Sequence, residues 1–462
     1  MAVPRYDFES WLLLGLAAFT AIVLGVVAGV DPKLAIAGSF ALGFIVLVVA
    51  DLNAGLVAFT FLAFIEIVPF GGPALSFTKL LGLLLAISWL GVMAARRDVA
   101  VDRAVLRPVL YALSALLGWI LLSATWATEP TSSLLDLTRY ALNAMLFVIV
   151  ATSVRERSTA IWLIGAFVAG AALAALYGIA SPGRFEADYG RLESASLDPN
   201  ELAAVLVPAA VTCMFVAIGM RKATLVRVAA GFVGFLCVAT IALTVSRGGL
   251  IAFTFALLVA IAVGGRWRLP IALFTAVLAA SVFIYFAGFA SPAAVDHLKS
   301  TTQGDARFQE GRVTIWQIAG RMAKDNPVRG VGAGNFAARS PDYVIQPGQV
   351  ARSELLIDTP SVVHNTSLEV LVELGAIGLG LFLAVIGLCT LSLVRAARVF
   401  NRLGDLTMEL LSRSLIAALM GLLVANFFIS EQFSKAMWLL LALGPALLVI
   451  ARHENDSREA TG

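Results

Sequence analysis

The sequence predicts an all-α, polytopic transmembrane helix bundle, and its composition and its apolar runs carry that prediction. Of the 462 residues, 60% are hydrophobic and 14% are charged, whereas soluble domains carry about 25% charged residues. Apolar runs long enough to cross a bilayer, about 20 residues each, follow one another along most of the chain. Because lipid cannot pair with free backbone groups, such runs form helices or closed barrels. The runs are uniformly apolar rather than alternating, which favours helices.

The apolar runs can be divided into fourteen candidate spans. The second and third are short enough to form a re-entrant pair instead, so we expect 12–14 spans. The first run has no clear small-x-small cleavage site, which predicts a membrane helix rather than a signal peptide. The three cysteines lie inside apolar runs and are predicted to be core residues. The spans are 11–30, 34–50, 54–70, 77–95, 108–126, 134–152, 159–180, 200–219, 224–244, 248–264, 269–290, 366–394, 412–430 and 435–451.

The Lys and Arg residues of the short loops predict the orientation. With a cytoplasmic N-terminus, the cytoplasmic segments hold 18 of these residues and the short outer loops hold six, as the positive-inside rule requires. We therefore expect both termini in the cytoplasm and one long loop on the outer side. The chain then divides into an N-terminal bundle (1–290), this loop region (291–365) and C-terminal helices with a cytoplasmic tail (366–462). The net charge of +3 gives no indication of nucleic-acid binding.

Three arginines, Arg184, Arg191 and Arg247, lie in short outer connections, where the positive-inside rule disfavours them. Arg191 precedes a span, and Arg247 lies in the sequence SRGG between two spans. Guanidinium groups beside the free N–H groups of helix ends make a site for anions. The alternative is a tight turn with an arginine that extends to the membrane surface.

The long outer loop is predicted to contain surface helices. Apolar residues recur at helical spacing over 309–325, which indicates an amphipathic helix that ends at Asn326-Pro327. Arg312 lies near its polar side. The glycine-rich run GVGAGNF follows, and Gly332 and Gly334 within it give the backbone freedom to wrap a ligand. No Gly-Lys-Ser follows, so this is not a Walker loop.

The loop ends at the start of the next span, where a histidine precedes the helix. Thr366 and Glu369 have the spacing of a capping box, which predicts a helix start near Thr366. A helix N-terminus disfavours protonated imidazole, so His364 is suited to act as a general base. The alternative is a histidine that only caps the helix. Asn365 lies beside it, and Glu373 is a carboxylate inside a span that needs a partner or a function.

A metal cofactor is not expected, and no other cofactor is predicted. The sequence has no His/Cys cluster with the spacing of metal ligands. Glu186 and Asp188 form a carboxylate pair on the outer side, which leaves a divalent ion as an alternative.

Taken together, these motifs resemble those of the O-antigen ligase/polymerase superfamily, bacterial inner-membrane glycosyltransferases of the GT-C type. The resemblance covers residues 184–383 at the level of motifs. It rests on SRGG at a span end, GRVTIW in the loop helix, GVGAGNF, and HNTSLEVLVELGAIGLG entering the next span. The last of these is the most specific.

The resemblance implies an activity and a set of site residues. Family members take a glycan from undecaprenyl pyrophosphate at the periplasmic leaflet and pass it to a hydroxyl, which in the ligases belongs to a lipid A–core sugar. By resemblance, His364 activates that hydroxyl, Arg247 and Arg312 hold the pyrophosphate, and Arg191 fits the same role by position. Membrane lipids surround the site, and the family reaction needs no metal. The supporting residues would be Asn365, Glu369, Glu373, Gly332 and Gly334.

Three other functions remain as alternatives. An O-antigen polymerase uses the same donor with a second lipid-linked glycan as acceptor, and a protein O-oligosaccharyltransferase glycosylates protein serines. The single long outer loop, late in the chain, favours a ligase. A transporter of lipid-linked glycans would show internal repeats or ionisable residues near the bilayer midplane. The sequence has no evident repeat, and Asp136 with Arg139 is the one clear charged pair near a span interior.

Overall fold

The computed structural model describes residues 20–23, 25–64, 77–95, 103–180, 191–194, 197–220, 223–289, 306–344 and 362–460. Within these residues the regular structure is helical, apart from a single bridge between Ser194 and Leu197. The all-α prediction is therefore confirmed. A short apolar helix, Thr20–Val30, precedes the elements numbered below.

The helices follow one another with short connections, except around the long loop. Gly265–Trp267 forms a turn of 3₁₀-helix between α9 and α10. The helices are α1 (Pro32–Ala50), α2 (Leu52–Leu62), α3 (Phe77–Ala95), α4 (Arg103–Ser123), α5 (Pro130–Ser153), α6 (Arg157–Ala180), α7 (Pro199–Gly219), α8 (Thr224–Leu243), α9 (Arg247–Val263), α10 (Arg268–Gly288), α11 (Ala306–Asp325), α12 (Phe336–Val344), α13 (Thr366–Leu403), α14 (Leu406–Ala425) and α15 (Lys435–Glu459).

Ten helices of the described chain are long and apolar enough to cross a membrane, so this is a multi-pass membrane protein. They are α3 to α8, α13 to α15, and α10 with the 3₁₀ turn before it. Shorter apolar helices occupy the positions of the other four predicted spans. The predicted span 412–430 begins too late, because α14 starts at Leu406. Its charged first turns are tolerated since Glu409 pairs with Arg413 at 2.9 Å.

The centre of the bundle is formed by the most buried helices. Of the residues in the most apolar part of each helix, 89% are buried in α15 and 78% in α7 and α14. In α10 with the 3₁₀ turn before it, 11% are buried. Helix α13 packs on α14, α15 and α4, while α7 packs on α8, α9 and α14. The Trp438 ring of α15 meets Phe147 of α5 edge-on at 6.5 Å between centroids. This central group positions the ends at which the predicted site residues lie.

Helix α13 is broken at Gly375, which has φ 68° and ψ −172°. The segment after α11 pairs with the opened turn: Val331 N donates to Val372 O at 3.0 Å, and Ala376 N donates to Pro327 O at 2.9 Å. Trp119 Nε1 of α4 donates to the Leu374 carbonyl at 2.8 Å. The predicted loop helix is confirmed as α11, and this pairing fixes its C-terminal end against α13.

The two ends of the bundle differ in their charged groups. The site end carries His364 and the N-terminal ends of α7, α9 and α13. At the far end, Arg157 bonds to Asp405 at 2.6 Å, and the nearly inaccessible Glu409 lies 3.1 Å from Arg266. These far-end arginines are among those predicted to be cytoplasmic. That the far end faces the cytoplasm stays a prediction.

Candidate functional site

The N-terminal ends of α7 and α9 are joined by polar side chains. Ser246 caps α9: its Oγ accepts from Gly249 N at 3.1 Å and donates to Asn200 Oδ1 at 2.8 Å. Arg191 spans the junction, because its Nη2 donates to Asn200 Oδ1 and its Nε to Thr244 O, both at 3.1 Å. The Arg191 guanidinium is therefore held beside two helix N-termini.

The turn before α9 has a conformation that a β-branched residue rarely adopts. Val245 is buried and has φ 49°, a genuine outlier for such a side chain. The two glycines after this turn are closely packed. A Cβ on Gly248 would lie 2.8 Å from Phe428 Cβ, and a Cβ on Gly249 would lie 2.5 Å from Ala203 Cβ. The two glycines of SRGG therefore allow α9 to approach α7 and the α14–α15 connection. Arg247, directly before these two glycines, is the first residue of α9.

Arg312 comes from the loop helix α11 and lies near the other two arginines. Burial lowers the pKa of its guanidinium, and the charges of Arg191 and Arg247 lower it further, while Asp198 acts in the opposite direction. The structure therefore brings together the three arginines that the sequence predicted, although they come from three separate segments. Three guanidinium groups that repel one another bind an anion favourably.

His364 lies next to this arginine cluster in a left-handed backbone conformation, with φ 54°. Its backbone N–H donates to Ser430 Oγ at 3.0 Å. Burial lowers the pKa of the imidazole, Arg312 lowers it further, and Asp198 opposes the shift. Because the ordinary value is about 6.5, His364 is neutral at pH 7 and has a free electron pair to accept a proton.

The capping box predicted at Thr366 and Glu369 is wrong. Asn365 is the N-cap, and its Oδ1 accepts from Leu368 N at 3.0 Å. Thr366 is the first helical residue, and its hydroxyl donates to Ile429 O at 2.8 Å. The tertiary contact with the α14–α15 connection takes the hydroxyl that a capping box would use.

Glu369 holds the segments on both sides of His364. Its buried carboxylate accepts from Gln432 Nε2 at 2.9 Å, from Val363 N at 3.3 Å and from the Ser430 hydroxyl. Ser430 in turn accepts from the His364 backbone. Glu369 is therefore in place to position His364 without being exposed to a substrate.

Glu373 and the glycine-rich run form a packed turn rather than an open cradle. Glu373 is buried, and its carboxylate accepts from Phe336 N at 3.3 Å. Gly332 and Gly334 have φ of 106° and 66°, and a Cβ on Gly332 would lie 2.6 Å from Ala127 Cβ. Asn335 Oδ1 accepts from Glu129 N at 2.7 Å. The glycines therefore permit close packing against the α4–α5 connection.

Several polar residues of this region were not predicted as site residues. Asp198 influences both His364 and Arg312, and it caps α7 in a capping box with Glu201. The sequence Asp-Pro-Asn-Glu before an apolar run carries that signal. Ser430 and Gln432 carry no comparable signal, since they lie in or beside a predicted span.

Among the described residues, no group of three or more His, Cys, Asp or Glu side chains is placed to hold a metal ion. The carboxylate pair considered above, Glu186 and Asp188, lies outside the described residues.

The comparisons with known proteins bear on the central part of the chain. Residues 232–383, about a third of the chain, match a family model described as O-antigen ligase. The match confirms the resemblance that the motifs indicate, and it points to an activity of the ligase or polymerase type. No curated protein matches the chain significantly.

Proposed function

Because residues 232–383 match the O-antigen ligase family, we propose that this protein transfers a glycan from undecaprenyl pyrophosphate to a hydroxyl of a lipid A–core sugar. The observation that carries the proposal is a half-buried histidine with a lowered pKa beside three arginines. The site lies on the periplasmic face of the bacterial inner membrane, and both termini are cytoplasmic.

The arginine cluster suits the leaving group. When the glycan departs, negative charge develops on the pyrophosphate. Arg191, Arg247 and Arg312 stand at helix N-termini or face them, where guanidinium groups and free N–H groups favour anions. Since the cluster is assembled before the donor binds, it stabilises the developing charge with little reorganisation.

His364 suits the acceptor. An imidazole nitrogen takes the proton from the acceptor hydroxyl, and the oxygen forms a bond to the anomeric carbon of the donor. The bond from that carbon to the pyrophosphate breaks, and its electron pair stays on the pyrophosphate. Asp198 attracts the imidazolium that forms, because its charge raises the pKa of His364.

Reconstitution in proteoliposomes tests the proposed reaction. The purified chain is supplied with an undecaprenyl-pyrophosphate glycan and lipid A–core, and we expect a lipid A–core that carries the glycan. The rate should be unchanged by a chelator. A longer lipid-linked glycan would instead indicate a polymerase, glycosylated protein serines an oligosaccharyltransferase, and donor movement without transfer a transporter.

Replacement of the histidine tests its role as the base. His364→Asn should lower kcat at least a hundredfold, and asparagine tolerates the left-handed backbone that alanine does not. His453→Asn, at the exposed far end of α15, is the matched control and should have wild-type kcat. Normal transfer by His364→Asn would refute the assignment.

A further inference from the structure

A cavity lies beside the α14–α15 connection, which holds the His364 backbone through Ser430. It has a volume of about 290 Å³ and is enclosed by the end of α2, the start of α7 and the α14–α15 connection. Phe64, Leu197 and Leu439 contribute apolar surface, and Glu201, Asn426 and Glu431 contribute polar groups. This volume is near the lower limit of small-molecule pockets, about 300 Å³, and it suits a ligand of about one sugar ring.

The polar groups of this cavity also include Ser434 and Lys435, and the Lys435 ammonium group donates to Thr78 Oγ1 at 2.8 Å. Glu201 and Glu431 are hydrogen-bonded to each other, and burial, followed by the Glu201 charge, raises the pKa of Glu431 to about 8. At neutral pH Glu431 therefore keeps its proton, which it can share with Glu201. The oxygens of this pair accept hydrogen bonds from hydroxyl groups.

Asn426 provides the independent indication of a ligand. The residue is 3% exposed and lines the cavity. Its Nδ2 contacts Met437 Sδ at 3.5 Å, whereas its buried Oδ1 has no hydrogen-bond donor among the residues that the structure describes. A buried acceptor without a donor costs about 1–3 kcal/mol, which a ligand hydroxyl would recover.

One short segment separates the cavity from His364. Ile429, which lines the cavity, accepts from Thr366 N at 3.0 Å. Ser430 accepts from the His364 backbone, and Glu431 N donates to Thr366 Oγ1 at 2.8 Å. The segment 429–431 therefore contacts both the cavity and the backbone of the proposed base, His364.

We propose that this cavity binds the acceptor sugar, with Glu201, Asn426 and Glu431 accepting hydrogen bonds from its hydroxyl groups. The inference rests on the proposed function and assigns the two substrates to two different groups of residues. The anionic donor lies against the arginines, and the uncharged, hydroxyl-rich acceptor lies in the carboxyl-lined cavity.

Steady-state kinetics of the reconstituted full chain test this assignment. Glu431→Leu and Asn426→Leu should each raise the KM for lipid A–core about tenfold, with the KM for the donor unchanged. Glu129→Leu is the matched control, since Glu129 is an exposed carboxylate at the same end of the bundle. An unchanged acceptor KM in both variants, or a raised donor KM, would overturn the assignment.

A labelling experiment gives a readout that does not depend on turnover. Leu197 lines the cavity and is partly exposed, whereas the native Cys213, Cys237 and Cys389 are buried. Maleimide labelling of Leu197→Cys should be slowed several-fold by lipid A–core and unaffected by inorganic pyrophosphate. Protection by pyrophosphate or by a divalent cation, or no protection, would overturn the assignment.

The two proposals fail in different ways. If the wild-type chain transfers the glycan but lipid A–core does not protect the cavity from labelling, the acceptor assignment is refuted and the proposed function stands. If lipid A–core protects the cavity but no transfer occurs, the assignment is supported and the proposed reaction is refuted.

Discussion

His364 occupies a left-handed backbone conformation that costs free energy in most residues, and its neighbours hold it there. Its N–H is bound by Ser430, and Ser430 and Val363 are both bound by the buried carboxylate of Glu369. Histidine is among the residues that tolerate positive φ. The conformation is thus fixed from both sides, which is typical of strained residues at functional sites.

The lowered pKa of His364 predicts the pH dependence of the reaction. The base must be neutral in the free enzyme, so kcat/KM should fall as the pH drops through an apparent pKa below 6.5. Burial lowers the pKa of His364 most, and the charge of Arg312 is the next largest cause. In Arg312→Gln the residual activity should therefore show an acid limb shifted upwards, toward 6.5.

The matched control for this pH profile is Arg321→Gln. Arg321 lies on the same helix and donates to Tyr343 O at 3.1 Å. Its replacement should leave the acid limb where it is in the wild type. An acid limb at or above 6.5 in the wild type, or one that Arg312→Gln does not move, would contradict the electrostatic account.

Individual site residues can be predicted from the sequence where their position relative to the predicted spans is unusual. His364 precedes a helix, and Arg191 and Arg247 lie where positive charge is disfavoured. Asn426 and Glu431 were not predicted, because Asn426 lies near the end of the predicted span 412–430 and a carboxylate in the short connection after it is ordinary. Their significance depends on burial and on contacts with α7, which lies more than 200 residues away in sequence.

At the scale of elements, the break in α13 connects the loop to the bundle. Gly375 turns the backbone out of the helix, and the groups released there bind the segment after α11. This backbone conformation, with positive φ and ψ near 180°, is essentially restricted to glycine. The break therefore sets where α11, and with it Arg312, stands relative to His364.

Replacement of this glycine should separate the loop from the bundle. Gly375→Ala forces a side chain into a glycine-only conformation, and its Cβ would overlap the Val328 carbonyl. We expect a loss of about 3 kcal/mol of stability, measured by thermal unfolding in detergent. Gly380→Ala is the control: it lies in the same helix with open space around it, so it should be neutral or slightly stabilising.

Helix positions were largely predictable, but the break was not. Hydropathy locates a span because lipid selects for apolar residues. It carries no information on a kink at one of several glycines, as in the run from Gly375 to Gly380. The late boundary predicted for α14 has the same origin, since Arg266, one of the two partners of Glu409, is distant in sequence.

For the whole molecule, the two ends of the bundle carry different arrangements of charged and polar groups. The site end collects arginines, His364 and a carboxyl-lined cavity, whereas the far end joins helices by ion pairs such as Arg157 with Asp405. Loop charges predicted this separation of ends. The neighbours of each helix, such as α7 beside α14, could not be predicted from hydropathy, because apolar faces are similar to one another.

This separation predicts that stability can be lowered at the far end without altering the chemistry. Glu409 is 1% exposed and lies between Arg413 and Arg266. Glu409→Gln removes the negative charge that both arginines contact, at a cost of about 3 kcal/mol, so the midpoint of thermal unfolding should fall. Since Glu409 lies roughly 25 Å along α14 from the site end, kcat and both KM values of the folded fraction should stay at wild-type levels.

The control is Glu454→Gln, which breaks the longer and more exposed 3.7 Å contact with Arg157 and should cost at most about 1 kcal/mol. A change in acceptor or donor KM in Glu409→Gln would show that the two ends are coupled.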